Sequence, residues 1–118
     1  MTDSDKRFIV AQLDTIPSQP CPCGVTRRAF VDDPAQIASA HLVEIDGAAR
    51  THYHRHTTEV YLFLEGEGVM ELDGESVLVH PLSAVLIKPG CRHRAVGRFR
   101  LLNVPIPAFN PEDEWFDE

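Results

Sequence analysis

Apolar residues along this chain fall in short runs, several alternating with polar positions, and no long segment repeats them at helical spacing. Val25–Val31 and Ser39–Ile45 predict two strands; Asp32, Asp33 and Pro34 between them favour a turn, with a single helical turn over Pro34–Ile37 also compatible. Glu59, Val60, Tyr61, Leu62, Phe63 and Leu64 predict a further strand, which Gly66 and Gly68 are expected to end. Val69–Leu72 and Glu75–His80 flank Asp73-Gly74, a pair that readily takes the positive φ angles of a two-residue hairpin turn, and Pro81 closes the second strand. Val85–Ile87, His93–Val96 and Phe99–Ile106 supply three more, the first two separated by a Pro89-Gly90 turn. About eight short strands must manage their edges by closing into a barrel or sandwich, so the fold class is all-β.

The 118 residues suit one domain with a single core. Pro17, Pro20 and Pro22 fix φ and remove ladder donors, so residues 1–24 are expected to form an arm over the surface with at most one edge strand, a strap or subunit contact. Residues 25–107 would then be the barrel and 108–118 a tail, whose Phe109, Trp115 and Phe116 argue that it docks despite its acids. Net charge is −7, and the five acids within Glu112–Glu118 supply most of it, which argues against a nucleic-acid partner. No stretch approaches the roughly 20 apolar residues of a membrane helix, and Met1–Arg7 lacks the apolar run of a signal peptide, so a cytoplasmic protein with no membrane partner is expected. Cys21, Cys23 and Cys91 are too few and too unevenly placed for a disulfide framework. Reduced thiols are the simpler reading; a soft-metal or redox role for Cys21-Pro-Cys23 is the alternative, and Cys91 is expected to act as a small buried hydrophobe.

Candidate chemistry concentrates in histidines. His52 and His54 are two apart, so in an extended segment they share a face and can converge on one ion. Glu59 opens the next strand and can reach back as a carboxylate ligand, and His93, after the Pro89-Gly90 turn, can supply the fourth. Three imidazoles and one carboxylate leave positions open on an octahedral divalent ion, as a catalytic site needs. His56 is an alternative ligand in place of His52, since His54 and His56 are also two apart.

The segment Gly47-Ala-Ala-Arg-Thr-His52-Tyr-His54, four residues, Glu59, six residues, Gly66 resembles the first motif of the small single-domain cupins, including those of the mannose-6-phosphate-isomerase-like type. Pro89-Gly90-Cys-Arg-His93 resembles the core of their second motif, and the likeness spans about residues 38–107. The chain has one residue fewer than usual between Gly47 and His52. It also carries Leu82-Ser83 where the second motif opens with Gly-Asp, Lys88 where proline often precedes Pro89, and Gly97 where asparagine is common. The resemblance implies a jelly-roll β-barrel, the double-stranded β-helix of cupins, often dimeric, with His52, His54, Glu59 and His93 as ligands of one divalent transition metal such as iron, manganese, nickel or zinc.

Around such an ion, Arg50 either shares the ligands' face, where its planar fork would bind a substrate carboxylate or phosphate, or sits on a frayed strand end in solvent. Tyr61 shares the face of Glu59 and could donate its hydroxyl to a bound ligand, whereas Phe63 suits core packing. Val60, Leu62 and Leu64 make the opposite face apolar as well, which predicts cover by a second subunit and hence a homodimer. Arg92, Arg94, Arg98 and Arg100 alternate outward and are expected to pair with the acidic tail. These features point to a metal-dependent enzyme, of the isomerase or dioxygenase type that the resemblance includes, acting on a small polar or anionic molecule. The alternative is a non-catalytic metal- or small-molecule-binding module.

Overall fold

Period-two alternation along one long strand, β7 (His93–Ile106), sets the plan of the molecule: His93, Ala95, Phe99, Leu101, Asn103 and Pro105 are buried, while Arg94, Arg98 and Arg100 turn outward. The structure, a computed structural model, describes residues 6–21 and 23–117. Among these, six further strands join β7 in one antiparallel sheet: β1 (Gln19–Cys21), β2 (Gly24–Ala29), β3 (Ala40–Ala48), β4 (Thr58–Leu72), β5 (Glu75–Val79) and β6 (Ala84–Ile87). The order is β1-β2-β3-β7-β4-β5, and β6 pairs the first part of β4 while β5 pairs its last part. The sheet rolls into an all-β barrel of the jelly-roll kind. Val43, Ile45, Tyr61, Phe63, Met70, Ile87, Phe99 and Leu101 fill its core. No helix among the described residues is long and apolar enough to cross a membrane.

Three sequence expectations need correction. Gly66 and Gly68 do not end a strand, because β4 runs through them to Leu72. Leu64 is an extra residue between Phe63, which faces Leu101, and Glu65, which faces Arg100. This bulge switches the inward positions from Glu59, Tyr61 and Phe63 to Met70. At Gly66, with φ +90°, a Cβ would run into the carbonyl of Arg98, so the glycine marks a close approach inside a strand. The two strands expected over 93–96 and 99–106 are likewise one, continuous through Gly97. Second, no helical turn forms over Pro34–Ile37. Successive turns close through Asp33 N to Phe30 O and Gln36 N to Asp33 O, and the left-handed φ of 51° at Gln36 stops any helix there.

Third, among the described residues only Arg92 of the outward arginines pairs with the tail, through Asp117 at 2.9 Å. Arg94, Arg98 and Arg100 instead meet Glu71, Asp46 and Glu44, their direct partners in the strand register. Among its described residues the arm carries one edge strand, β1, while Phe8, Ile9 and Val10 stay exposed. Val60, Leu62 and Leu64 are half-buried within the chain itself. The tail lies on the barrel: Tyr53 and Trp115 exchange backbone hydrogen bonds of 3.0 and 2.9 Å, and Arg55 stacks over the Trp115 ring at 3.6 Å.

Candidate functional site

The segment between β3 and β4 is held from two sides. His52 exchanges backbone hydrogen bonds of 3.1 and 2.9 Å with His93, the first residue of β7, and Tyr53 is tied to the tail. Held extended in this way, His52 and His54 meet Glu59 of β4 and His93. All four are at least nine-tenths buried, and their ligating atoms lie within 4.8 Å of one another.

Each histidine is oriented by a backbone carbonyl. Nδ1 of His52 donates to Arg50 O at 3.0 Å, that of His54 to Asp113 O at 2.7 Å, and that of His93 to Cys91 O at 2.9 Å. A carbonyl can only accept, so each Nδ1 carries the proton and each Nε2 presents a lone pair. His54 Nε2 and His93 Nε2 both lie 3.0 Å from Glu59 Oε1, yet none of these three atoms has a hydrogen-bond partner. Donors bound at right angles about 2.1 Å from one ion are about 3.0 Å apart, so the set fits a divalent transition metal. The other carboxylate oxygen, Glu59 Oε2, accepts from Asn103 Nδ2 at 2.6 Å.

Titration follows the same geometry. Burial opposes a charge on Glu59, but His54 and His93 beside it hold its carboxyl far below the usual range. Burial likewise works against His54, and the Glu59 carboxylate outweighs it, raising His54. Burial and the neighbouring His93 push His52 down to about 4. Burial raises Glu114, whose Oε1 lies 3.8 Å from His52 Nε2, with Glu59 adding to the effect.

Beside the cluster lies a small cavity of about 30 Å³. Its walls include Thr26, Arg28, His41, Tyr61, Asn103 and Glu114 as well as His52, His54 and Glu59. Tyr61 lines this cavity, and burial keeps its phenol neutral by raising it well above its ordinary value. Arg50 does not line the cavity: it is exposed and stacks over the Phe116 ring at 3.6 Å. His56 is exposed and stands outside the cluster, its backbone N–H held by Asp113. Cys21 and Cys23 also line the cavity, joined as a disulfide with Cα atoms 5.1 Å apart, which corrects the expectation of free thiols. The reversal between β1 and β2, with Cys21 facing Gly24, brings the two side chains together. Cys91 is a free, half-buried thiol outside the cavity wall.

Arg28, His41, Asn103, Asp113 and Glu114 were not foreseen. Asn103 shares the inward parity of His93, and His41 that of Val43 and Ile45, so strand alternation could have found both. Asp113 and Glu114 carried no local signal, because the tail's path decides their place.

His41 gives a test that involves no metal ligand. Burial and the nearby Arg28 lower its pKa to about 4, against 6.5 in an unfolded chain. The unfolded state therefore binds the proton more readily between these values, and stability falls as pH drops from about 6.5 through 4. His41→Gln is expected to remove on the order of 3 kcal/mol of that loss, read from urea unfolding of metal-free protein at neutral and acid pH. An unchanged pH dependence would contradict it.

The sequence model of the Cupin_2 cupin domain matches residues 41–104, and the chain belongs to that family. A crystal structure of a protein from Planctomyces limnophilus is 38% identical, covers 97% of this chain and 100% of that one, and superposes with a TM-score of 0.85. Pac13, a nucleoside dehydratase whose Streptomyces variants have also been solved with uridine, is 18% identical over 92% of this chain and 89% of that one, with a TM-score of 0.80. Ectoine synthase from P. lautus is 18% identical over 92% and 88%, with a TM-score of 0.74. No curated protein matches the sequence.

Proposed function

We propose that this cupin holds one divalent transition metal through His52, His54, Glu59 and His93 and is an enzyme acting on a small polar or anionic molecule, by isomerase- or dioxygenase-type chemistry. The observation that supports it most is the convergence of lone pairs on His54 and His93, each fixed by a carbonyl behind the ring, toward one buried carboxylate oxygen. The ion would supply Lewis-acid polarisation of a substrate oxygen or, with iron or manganese, activation of dioxygen. Asn103 fixes the Glu59 carboxylate, leaving Oε1 for the ion. The burial of the site excludes bulk water, which strengthens every charge interaction inside it.

A site that only stores metal needs no ionisable groups beyond the ligands. Here Arg28, His41, Tyr61 and Glu114 line the same cavity, which favours a site that handles a substrate. Pac13 and ectoine synthase being enzymes is consistent with this, though their reactions are their own. The test assays metal-loaded protein for oxygen uptake with 2-hydroxy acids and phenols, and for isomerisation with sugars. Wild type is expected to turn over one class, and His93→Ala to lose at least about 100-fold, since a metal supplies several kcal/mol to the transition state. Saturable binding with no turnover across the panel would leave a binding module instead.

A further inference from the structure

Among the described residues, seven buried side-chain nitrogen and oxygen atoms lack a hydrogen-bond partner. Three belong to the proposed metal ligands, and Arg100 Nε lies on the outer face beside Glu44 and Glu65. The remaining three, Thr26 Oγ1, Arg28 Nε and Asn103 Oδ1, belong to side chains that line the cavity beside those ligands. Thr26 is 1% exposed and Asn103 8%. A buried polar group without a partner costs about 1–3 kcal/mol, so three around one small space point to an occupant that satisfies them.

The three atoms also say what the occupant is. Thr26 and Arg28 are two apart on β2 and so share a face. Arg28 Cζ lies 4.1 Å over the Phe109 ring, which fixes the plane of the guanidinium and leaves its N–H edge for a planar anion. Asn103 Oδ1 can only accept, so it needs a donor such as a hydroxyl. Glu59 and Glu114 line the same space and would repel a second negative group.

We infer that the cavity is a subsite for a small 2-hydroxy monocarboxylate: its carboxylate accepts from Arg28 Nε and the Thr26 hydroxyl, and its hydroxyl donates to Asn103 Oδ1. Arg28 thus takes the anchoring role that the sequence offered to Arg50. The inference rests on the proposed function only in that this space adjoins the metal ligands; binding itself needs Thr26, Arg28 and Asn103.

The probe is glycolate, with ethylene glycol as its uncharged counterpart, titrated by NMR into metal-loaded and metal-free protein whose metal content is measured on the same samples. Glycolate is expected to saturate the cavity resonances and ethylene glycol to bind at least about 10-fold more weakly. Arg28→Gln should weaken glycolate about 10- to 100-fold, weaken ethylene glycol far less and leave metal content unchanged, with Arg28→Lys intermediate. Thr26→Val should also weaken glycolate, yet leave the metal-free chain as stable as wild type or more so, because the hydroxyl it removes has no partner; a purely structural threonine would cost stability. Glycolate bound no better than ethylene glycol, or unaffected by Arg28→Gln, overturns the subsite. Metal uptake without Arg28-dependent glycolate binding overturns it while the metal reading stands, and Arg28-dependent binding in protein that takes up no metal does the reverse.

Discussion

His93→Ala is expected to weaken binding of a divalent transition ion by more than roughly 100-fold, the upper end of what losing a mere supporting partner costs at such sites. The His93 ring is almost completely buried, its Nδ1 is tied to Cys91 O, and its Nε2 stands 3.0 Å from Glu59 Oε1. Its loss removes a donor whose direction was set before any ion arrived. Two companion variants calibrate the effect. Asn103→Ala keeps all four ligands but frees Glu59 Oε2, and should cost about 10- to 100-fold. His56→Ala touches an exposed ring outside the cluster and should cost nothing measurable. Calorimetric titration with zinc or manganese reads all three. Equal affinity in His93→Ala and wild type would place the ion elsewhere.

Asp113→Ala carries the largest expected effect on stability, a loss of about 3 kcal/mol or more. Its buried carboxylate accepts from the backbone N–H of Arg55 at 2.9 Å and His56 at 3.0 Å, from the Thr57 hydroxyl at 2.9 Å and from the Trp115 indole at 3.2 Å. Alanine leaves these donors without an acceptor and unties the tail from the loop that ends at β4. Burial works against the charged carboxylate, but these donors outweigh it and lower the Asp113 pKa to about 2, from 3.8. Its contribution is therefore present above about 3.8 and lost as pH falls through 2, so the gap between wild type and Asp113→Ala should narrow in that window. Metal affinity should fall too, because Asp113 O orients His54. Urea unfolding measures the first effect. A change within about 0.5 kcal/mol, ordinary for a surface substitution, would contradict the role assigned to Asp113.

What the sequence revealed and what it hid divide along one physical line. His52 and His54 were legible because two-residue spacing in extended backbone is a local property, Glu59 and His93 because they follow a turn in motifs that resemble those of cupins, and all four are buried together. The outward arginines were legible for the same reason, although their partners were not, since register decides those. Gly66 was misread because a positive-φ glycine inside a strand and one at a strand end look alike until the neighbouring strand is in place. Arg28 and Asp113 were missed because nothing near them in sequence says that β2 and the tail close over the same cavity. Arg50 shows the converse: its distance in sequence from His52 left both the pocket and solvent open, and Phe116, arriving from the tail, holds it outside.

The most direct test of the metal centre is elemental analysis of wild-type protein purified without added metal or chelator, beside a His52→Ala, His93→Ala double variant. The account predicts close to one equivalent of a divalent transition ion per wild-type chain, retained or readily restored on incubation, and none in the variant. A wild-type chain that is empty as purified and takes up no added divalent ion would contradict it.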